Sequence, residues 1–181
     1  LLTAGTEEGF CGALEYIQEK KIPCLLLGNG SNVLVKDGGF RGVVVRMGRE
    51  FGKIERTDDG LYAQAGALMS LLSKAALDAG LTGLEFAQGI PGTVGGGIYM
   101  NAGAYGGEIC HVCTEVEVMD VDGNTRLIAG EEMDFSYRHS RLEEEGGIVL
   151  RATFELIPKP IEEIRAVMQE LVERRRRSQP L

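Results

Sequence analysis

Residues 28–32 read Gly-Asn-Gly-Ser-Asn and residues 91–96 read Pro-Gly-Thr-Val-Gly-Gly. Neither stretch holds a charge; what each can offer is bare backbone. Glycine reaches positive φ and lets a ligand touch the main chain. Successive N–H groups in such a turn form a concave nest for phosphate. Around Asn29 and Gly30, Ser31 and Asn32 add side-chain donors. In the second stretch Pro91, Gly92 and Thr93 read as the entry to a short helix, with Val94 and Ile98 packing inward. A helix start concentrates unpaired N–H groups and partial positive charge. Gly92, Gly95 and Gly96 would let a pyrophosphate lie on that backbone, and the Asn101 amide suits the edge of a heterocycle. Taken singly, the first stretch reads equally as a tight structural turn and the second as a glycine helix packed on a sheet.

Taken together they read as two anion nests on two lobes, clamping one dinucleotide pyrophosphate. The Rossmann fingerprint is absent, because its third glycine would fall at Val33 and a strand, not a helix, is expected there. A dinucleotide held without that loop suggests a flavin, although spacing alone does not separate FAD from NAD. Eight of the nineteen residues 89–107 are glycine, but Ile90, Val94, Ile98 and Met100 lie between them, unlike a polar linker.

The elements that must position these loops are legible around them. Thr6 is an N-cap for a helix carrying Phe10, Leu14 and Ile17 on one face. Ile22–Gly28 follows as a doubly covered strand, and Asn32–Val35 and Arg41–Met47 read as two more, so residues 1–50 form an α/β unit. A hairpin over Gly52–Gly66 turns at Asp58-Asp59-Gly60. A helix follows with Leu68, Leu71, Leu72 and Ala75 inward and Gly80 at its end. After the glycine stretch a second hairpin turns at Asp122-Gly123-Asn124, and Gly146–Pro158 reads as a last strand. Residues 51–159 thus read as an α+β lobe on a mainly antiparallel sheet. From Pro160 a helix carries Ile161, Ile164, Val167, Met168 and Leu171 in one stripe and ends in four arginines, read as a solvated helix end.

The formal charge of −8 argues against nucleic acid or an anionic membrane surface as partner, and no run approaches a membrane helix. Cys110 and Cys113 have CxxC spacing without a second pair, so no metal is expected; on a strand they would face opposite ways. Free thiols fit a cytoplasmic protein.

"LLLGNGSNVLVKDGGFRGVVV", "GLEFAQGIPGTVGGGIYMNAGAYGGEI" and "DFSYRHSRL" closely resemble, in that order, the UDP-N-acetylenolpyruvoylglucosamine reductase (MurB) family. The resemblance implies the two-lobe FAD-binding fold of the MurB and vanillyl-alcohol-oxidase type, with a third, substrate-binding lobe beyond residues 160–181. It implies non-covalent FAD, NADPH as hydride donor, and reduction of UDP-N-acetylglucosamine enolpyruvate to UDP-N-acetylmuramate for bacterial peptidoglycan. Asn29 to Asn32 and Pro91 to Gly96 would hold the pyrophosphate. Asn101, Ala102 and Gly103 would line the flavin, with Ile148 or Val149 flanking it. Arg138, in Ser136-Tyr137-Arg138, matches a catalytic arginine that would stabilise the developing enolate, and Tyr105 and Tyr137 would sit near substrate. With the segment extended, His139 would be a polar neighbour, and His111 a strand residue. The family's N-terminal strand is expected before Leu1, and its proton-donating serine and catalytic glutamate after residue 181. The chain therefore reads as the FAD-binding part and not fully active alone; the sequence does not fix its oligomeric state, with a monomer favoured. A carbohydrate-oxidising FAD enzyme ranks lower, since neither histidine lies in a flavin-cradling loop to tether it. A non-catalytic flavin-binding module is the third reading.

Overall fold

A computed structural model describes residues 1–120 and 122–178. Residues 179–181 of the expected C-terminal stretch lie outside the described residues. The first lobe runs β1 (Leu2–Ala4), α1 (Glu7–Glu19), β2 (Cys24–Leu27) and β3 (Val43–Met47). Its three strands form a parallel sheet in the order β1-β3-β2. Thr6 caps α1 by accepting from the Gly9 N–H at 3.0 Å. Phe10 and Ile17 are buried and Leu14 packs beside them. Leu2–Ala4 is too short to carry a strand signal of its own and is held as one by its parallel partner β3.

The second lobe is built on β4 (Ile54–Arg56), β5 (Gly60–Gln64), α2 (Met69–Asp78), β6 (Leu81–Thr82), α3 (Val94–Tyr99), β7 (Gly103–Ala104), β8 (Gly107–Glu108), β9 (Cys113–Met119), β10 (Thr125–Ala129), α4 (Leu142–Glu145), β11 (Ile148–Glu155) and β12 (Ile157–Pro158). An antiparallel sheet in the order β10-β9-β11-β5-β4 is its frame, and both expected hairpins are present. β11, last in the chain of the five, is the central strand. On one face Val116, Val118, Ala152 and Phe154 pack beneath α2 and α3. On the other, Met119, Leu150 and Phe51 join Phe10 and Val45 of the first lobe. The two lobes therefore share a core. α5 (Ile161–Ser178) closes the chain against the 3-10 turn Glu85–Gly89.

Three readings of the sequence need correction. Asn32–Val35 is not a strand: β2 is an edge of its sheet, and Val33, Leu34 and Val35 lie exposed in a loop that leaves it. The buried stripe of α2 is Met69, Leu72, Ser73 and Ala76, not Leu68, Leu71, Leu72 and Ala75. Leu68 is the N-cap, and with apolar residues at nearly every position the helical phase is set by where the helix begins. Gly80 does follow the helix end, at φ +68°, where glycine avoids left-handed strain. In α5 only Ile164 and Met168 of the expected stripe are buried; Ile161 and Val167 remain largely exposed.

Candidate cofactor site

The two glycine loops meet. Asn29 Nδ2 donates to the Pro91 carbonyl at 2.7 Å. A Cβ on Gly28 would lie 2.6 Å from Thr93 Oγ1, so absence of a side chain there is what admits the neighbouring loop. A Cβ on Gly92 would sit 3.7 Å from Ser31 Oγ. The first loop leaves the end of β2 with Gly30 at φ +73°. Among the described residues the N–H groups of Asn29, Gly30, Ser31 and Asn32 donate to no backbone carbonyl of a turn or loop. Backbone donors left unused beside a second glycine loop are an arrangement suited to a shared anion.

The second loop is less bare than its sequence suggests. Val94 N donates to the Ala67 carbonyl at 2.8 Å and Gly95 N to that of Ala65 at 2.9 Å. A Cβ on Gly95 would fall 2.9 Å from Ala65 Cβ, and one on Gly97 would fall 2.9 Å from Met69 Sδ. Gly95 is thus a packing glycine, not part of an anion cradle, because helix α3 presses onto the sheet through it. Gly92 and Gly96 face outward instead, beside the α3 cap in which Thr93 Oγ1 accepts from Gly96 N at 3.4 Å. Val94 and Ile98 are fully buried, as expected.

Asn101 departs from its expected role. Its side chain is only 2% exposed and is consumed within the protein. Nδ2 donates to Glu108 Oε2 at 2.9 Å and to the Ser136 carbonyl at 3.0 Å, while Oδ1 accepts from Cys110 N at 3.0 Å. No amide edge is left for a heterocycle. Ala102 and Val149 turn their side chains into the core, and Ile148 packs towards the first lobe. Gly103 lies in β7, half-buried.

The segment around Arg138 is a tight turn and not extended. Ser136 and His139 exchange backbone hydrogen bonds at 3.2 Å, with Arg138 at φ +58° between them. Arg138 is exposed and forms no ion pair among the described residues. Tyr137 is 84% exposed. His139 bends back to Glu143 Oε2 at 3.0 Å, and that hydrogen bond raises its pKa above the ordinary histidine value. The arginine-rich helix end is also more than a solvated tail. Arg175 donates to the Gly89 carbonyl, and Arg174 stacks over Tyr105 at 5.2 Å from the ring centroid. A run of like charges gave no signal for which arginines would dock.

Cys110 lies in a 3-10 turn that also holds the exposed His111, whereas Cys113 begins β9; neither Cys110 nor His111 is on a strand. Burial pushes the Cys113 thiol up to about 12. Among the described residues no group of three or more His, Cys, Asp and Glu could hold a metal ion. Nor is any described helix long and apolar enough to cross a membrane.

A parallel first lobe seated on an antiparallel second lobe, with glycine loops of both in contact, defines a two-lobe dinucleotide-binding class of protein. The chain belongs to the family described as FAD binding domain, whose pattern matches residues 1–128. It is 45% identical, over all 181 residues, to UDP-N-acetylenolpyruvoylglucosamine reductase of Clostridioides difficile (strain 630), covering 60% of that protein. It is 47% identical over 93% of its length to the Limosilactobacillus reuteri enzyme of the same name, covering 56% of it. The chain therefore spans about three fifths of these relatives. The solved structure of that reductase, MurB, from Thermus caldophilus superposes with a TM-score of 0.84 at 40% identity, covering 99% of this chain and 63% of that one. Alkyldihydroxyacetonephosphate synthase shares the fold alone, with a TM-score of 0.61 at 17% identity over 86% of this chain and 31% of its own.

Proposed function

We propose that this chain is the FAD-binding part of a UDP-N-acetylenolpyruvoylglucosamine reductase. It would serve the NADPH-dependent reduction of UDP-N-acetylglucosamine enolpyruvate to UDP-N-acetylmuramate, as a cytoplasmic monomer. The observation that carries the reading is the contact between the glycine loops, with Asn29 on the Pro91 carbonyl at 2.7 Å. On this reading residues 1–50 and 51–159 are the two FAD-binding lobes, and 160–181 lead towards a substrate lobe.

The residues present fit a non-covalent FAD. N–H groups of Asn29 to Asn32 would hold the pyrophosphate from the first loop, and those of Gly92 and Thr93 from the second. Gly103 and the start of β11 at Ile148 border the space towards the flavin. Tyr105 and Tyr137 stand on the substrate side. Bound FAD supplies the two-electron carrier between NADPH and C3 of the enolpyruvyl group.

Arg138 handles the charge that this reduction creates. Hydride arriving at C3 leaves negative charge shared between C2 and the carboxylate. An exposed guanidinium that forms no ion pair among the described residues is available to pair with that group as charge develops. Its role on this reading is to stabilise that charge, not to donate the final proton. The family resemblance assigns that proton to a serine beyond residue 181.

The test is Arg138→Ala in the full-length enzyme. Reoxidation of reduced flavin by substrate should slow about 10²–10³-fold, the usual cost of one such charge-stabilising group, while FAD affinity stays unchanged. Equal losses in both would assign Arg138 to the cofactor or the fold.

A further inference from the structure

We infer that Asn101 is a positioning residue for Arg138, fixing the turn that carries it relative to the glycine loop; this rests on the role given to Arg138 above. Two side-chain hydrogen bonds tie the segment Ser136–Ser140 to the C-terminal end of α3. Asn101 Nδ2 donates to the Ser136 carbonyl at 3.0 Å, which also accepts from His139 N. Ser140 Oγ, fully buried, donates to the Tyr99 carbonyl at 2.6 Å. One attachment therefore precedes Arg138 and the other follows it.

Asn101 is itself held without freedom. Glu108 Oε2 and the Ser136 carbonyl both require donors, and Cys110 N requires an acceptor, so only one orientation of the amide satisfies all three. Its backbone stands at φ +42°, a left-handed conformation that asparagine tolerates better than most residues. α3 begins at the Thr93 cap of the glycine loop and ends beside Asn101. Its six residues span about 9 Å. A short rigid helix thus carries the anion-facing loop at one end and the anchor of the Arg138 turn at the other. Small displacements of a positioned catalytic group cost large factors in rate.

The experiment has two arms. In the 181-residue chain, Ser140→Ala should speed tryptic cleavage after Arg138 by about tenfold, the effect of losing one buried hydrogen bond, and Asn101→Ala, which removes three, by at least as much. Cleavage after Arg151 in the central strand should stay unchanged. In the full-length FAD-loaded enzyme, each variant should slow flavin reoxidation by substrate about tenfold or more. FAD affinity and reduction by NADPH should stay within about twofold, which separates positioning from general loss of structure. Asn101→Ala should add little on an Arg138→Ala background, because its effect passes through Arg138. Should Asn101→Ala fail to fold, Ser140→Ala carries both arms. Unchanged cleavage after Arg138 with unchanged reoxidation overturns the inference while leaving Arg138 in place. Normal reoxidation in Arg138→Ala alone instead overturns the reading of Arg138, and the proteolysis still decides whether Asn101 orders the turn.

Discussion

Gly28→Ala would place a methyl group between the two loops. Its Cβ would lie 2.6 Å from Thr93 Oγ1, whereas Thr93 Cβ and Cγ2 would be 3.8 Å away. The obstruction is thus a single hydroxyl oxygen. Ordinary contact begins at 3.4 Å, so the loops must part by about 0.8 Å. Overpacking of this kind costs about 1–3 kcal/mol. Both loops are at the surface, so the cost should fall mainly on the ligand that needs them together. FAD affinity should weaken by about 5- to 150-fold, with little change in melting temperature. Thr93→Ala removes the hydroxyl and the α3 cap, at its own cost of about 0.5–2 kcal/mol. On that background, adding Gly28→Ala should cost less than about twofold. Equilibrium titration of the four proteins with FAD, followed by quenching of flavin fluorescence, measures the cycle. Unaltered affinity in Gly28→Ala, or the same penalty without the Thr93 hydroxyl, would refute the account of how the loops meet.

Gly95→Ala should act on the fold instead, lowering stability by about 1–3 kcal/mol in urea denaturation, because its Cβ meets Ala65 Cβ at 2.9 Å and the Ala65 carbonyl oxygen at 3.3 Å. At about pH 8 a thiol reagent should label the exposed Cys24 quickly and spare Cys113 until the protein unfolds, since the Cys113 thiol is buried and pushed up to about 12. Equal labelling rates would contradict that burial. His139 is stabilised in its charged form by Glu143, so its contribution to stability is fully present below the unfolded pKa of about 6.5 and is lost as pH rises through the raised folded value. Melting curves of wild type and His139→Gln should therefore converge with increasing pH; a constant gap would remove the ion pair from the account.

What the sequence disclosed follows from which signals are local. Thr6, Thr93 and Gly80 mark helix ends through one or two bonds of their own, and all three lie where expected. Both hairpins turn at Asp/Gly/Asn clusters for the same reason. What failed depends on distant neighbours. Val33–Val35 has strand composition but no strand to pair with. Gly95 and Gly92 are indistinguishable as letters, and only the position of Ala65 separates a packing glycine from an outward one. The buried state of Asn101 depends on residues 108, 110 and 136, which no local pattern connects to it. Likewise, an extended reading of Ser136–His139 missed a turn whose anchors come from α3.

The family pattern stops at residue 128, inside β10, yet the strand that unites the sheet is β11, at Ile148–Glu155. Before it arrives, β5 and β9 each present an inner rim of unbonded backbone groups, the kind of edge that recruits other chains. The Ala65 N–H also lacks its acceptor, the Leu150 carbonyl at 2.8 Å. Pairing Gln64 with Arg151 must close a long intervening loop, so assembly of the sheet is dominated by sequence-distant contacts and is slow. A piece cut where the recognisable pattern ends would keep the hairpins but not the seam between them. The smallest autonomous folding unit must therefore reach at least Glu155, well past the end of the family pattern.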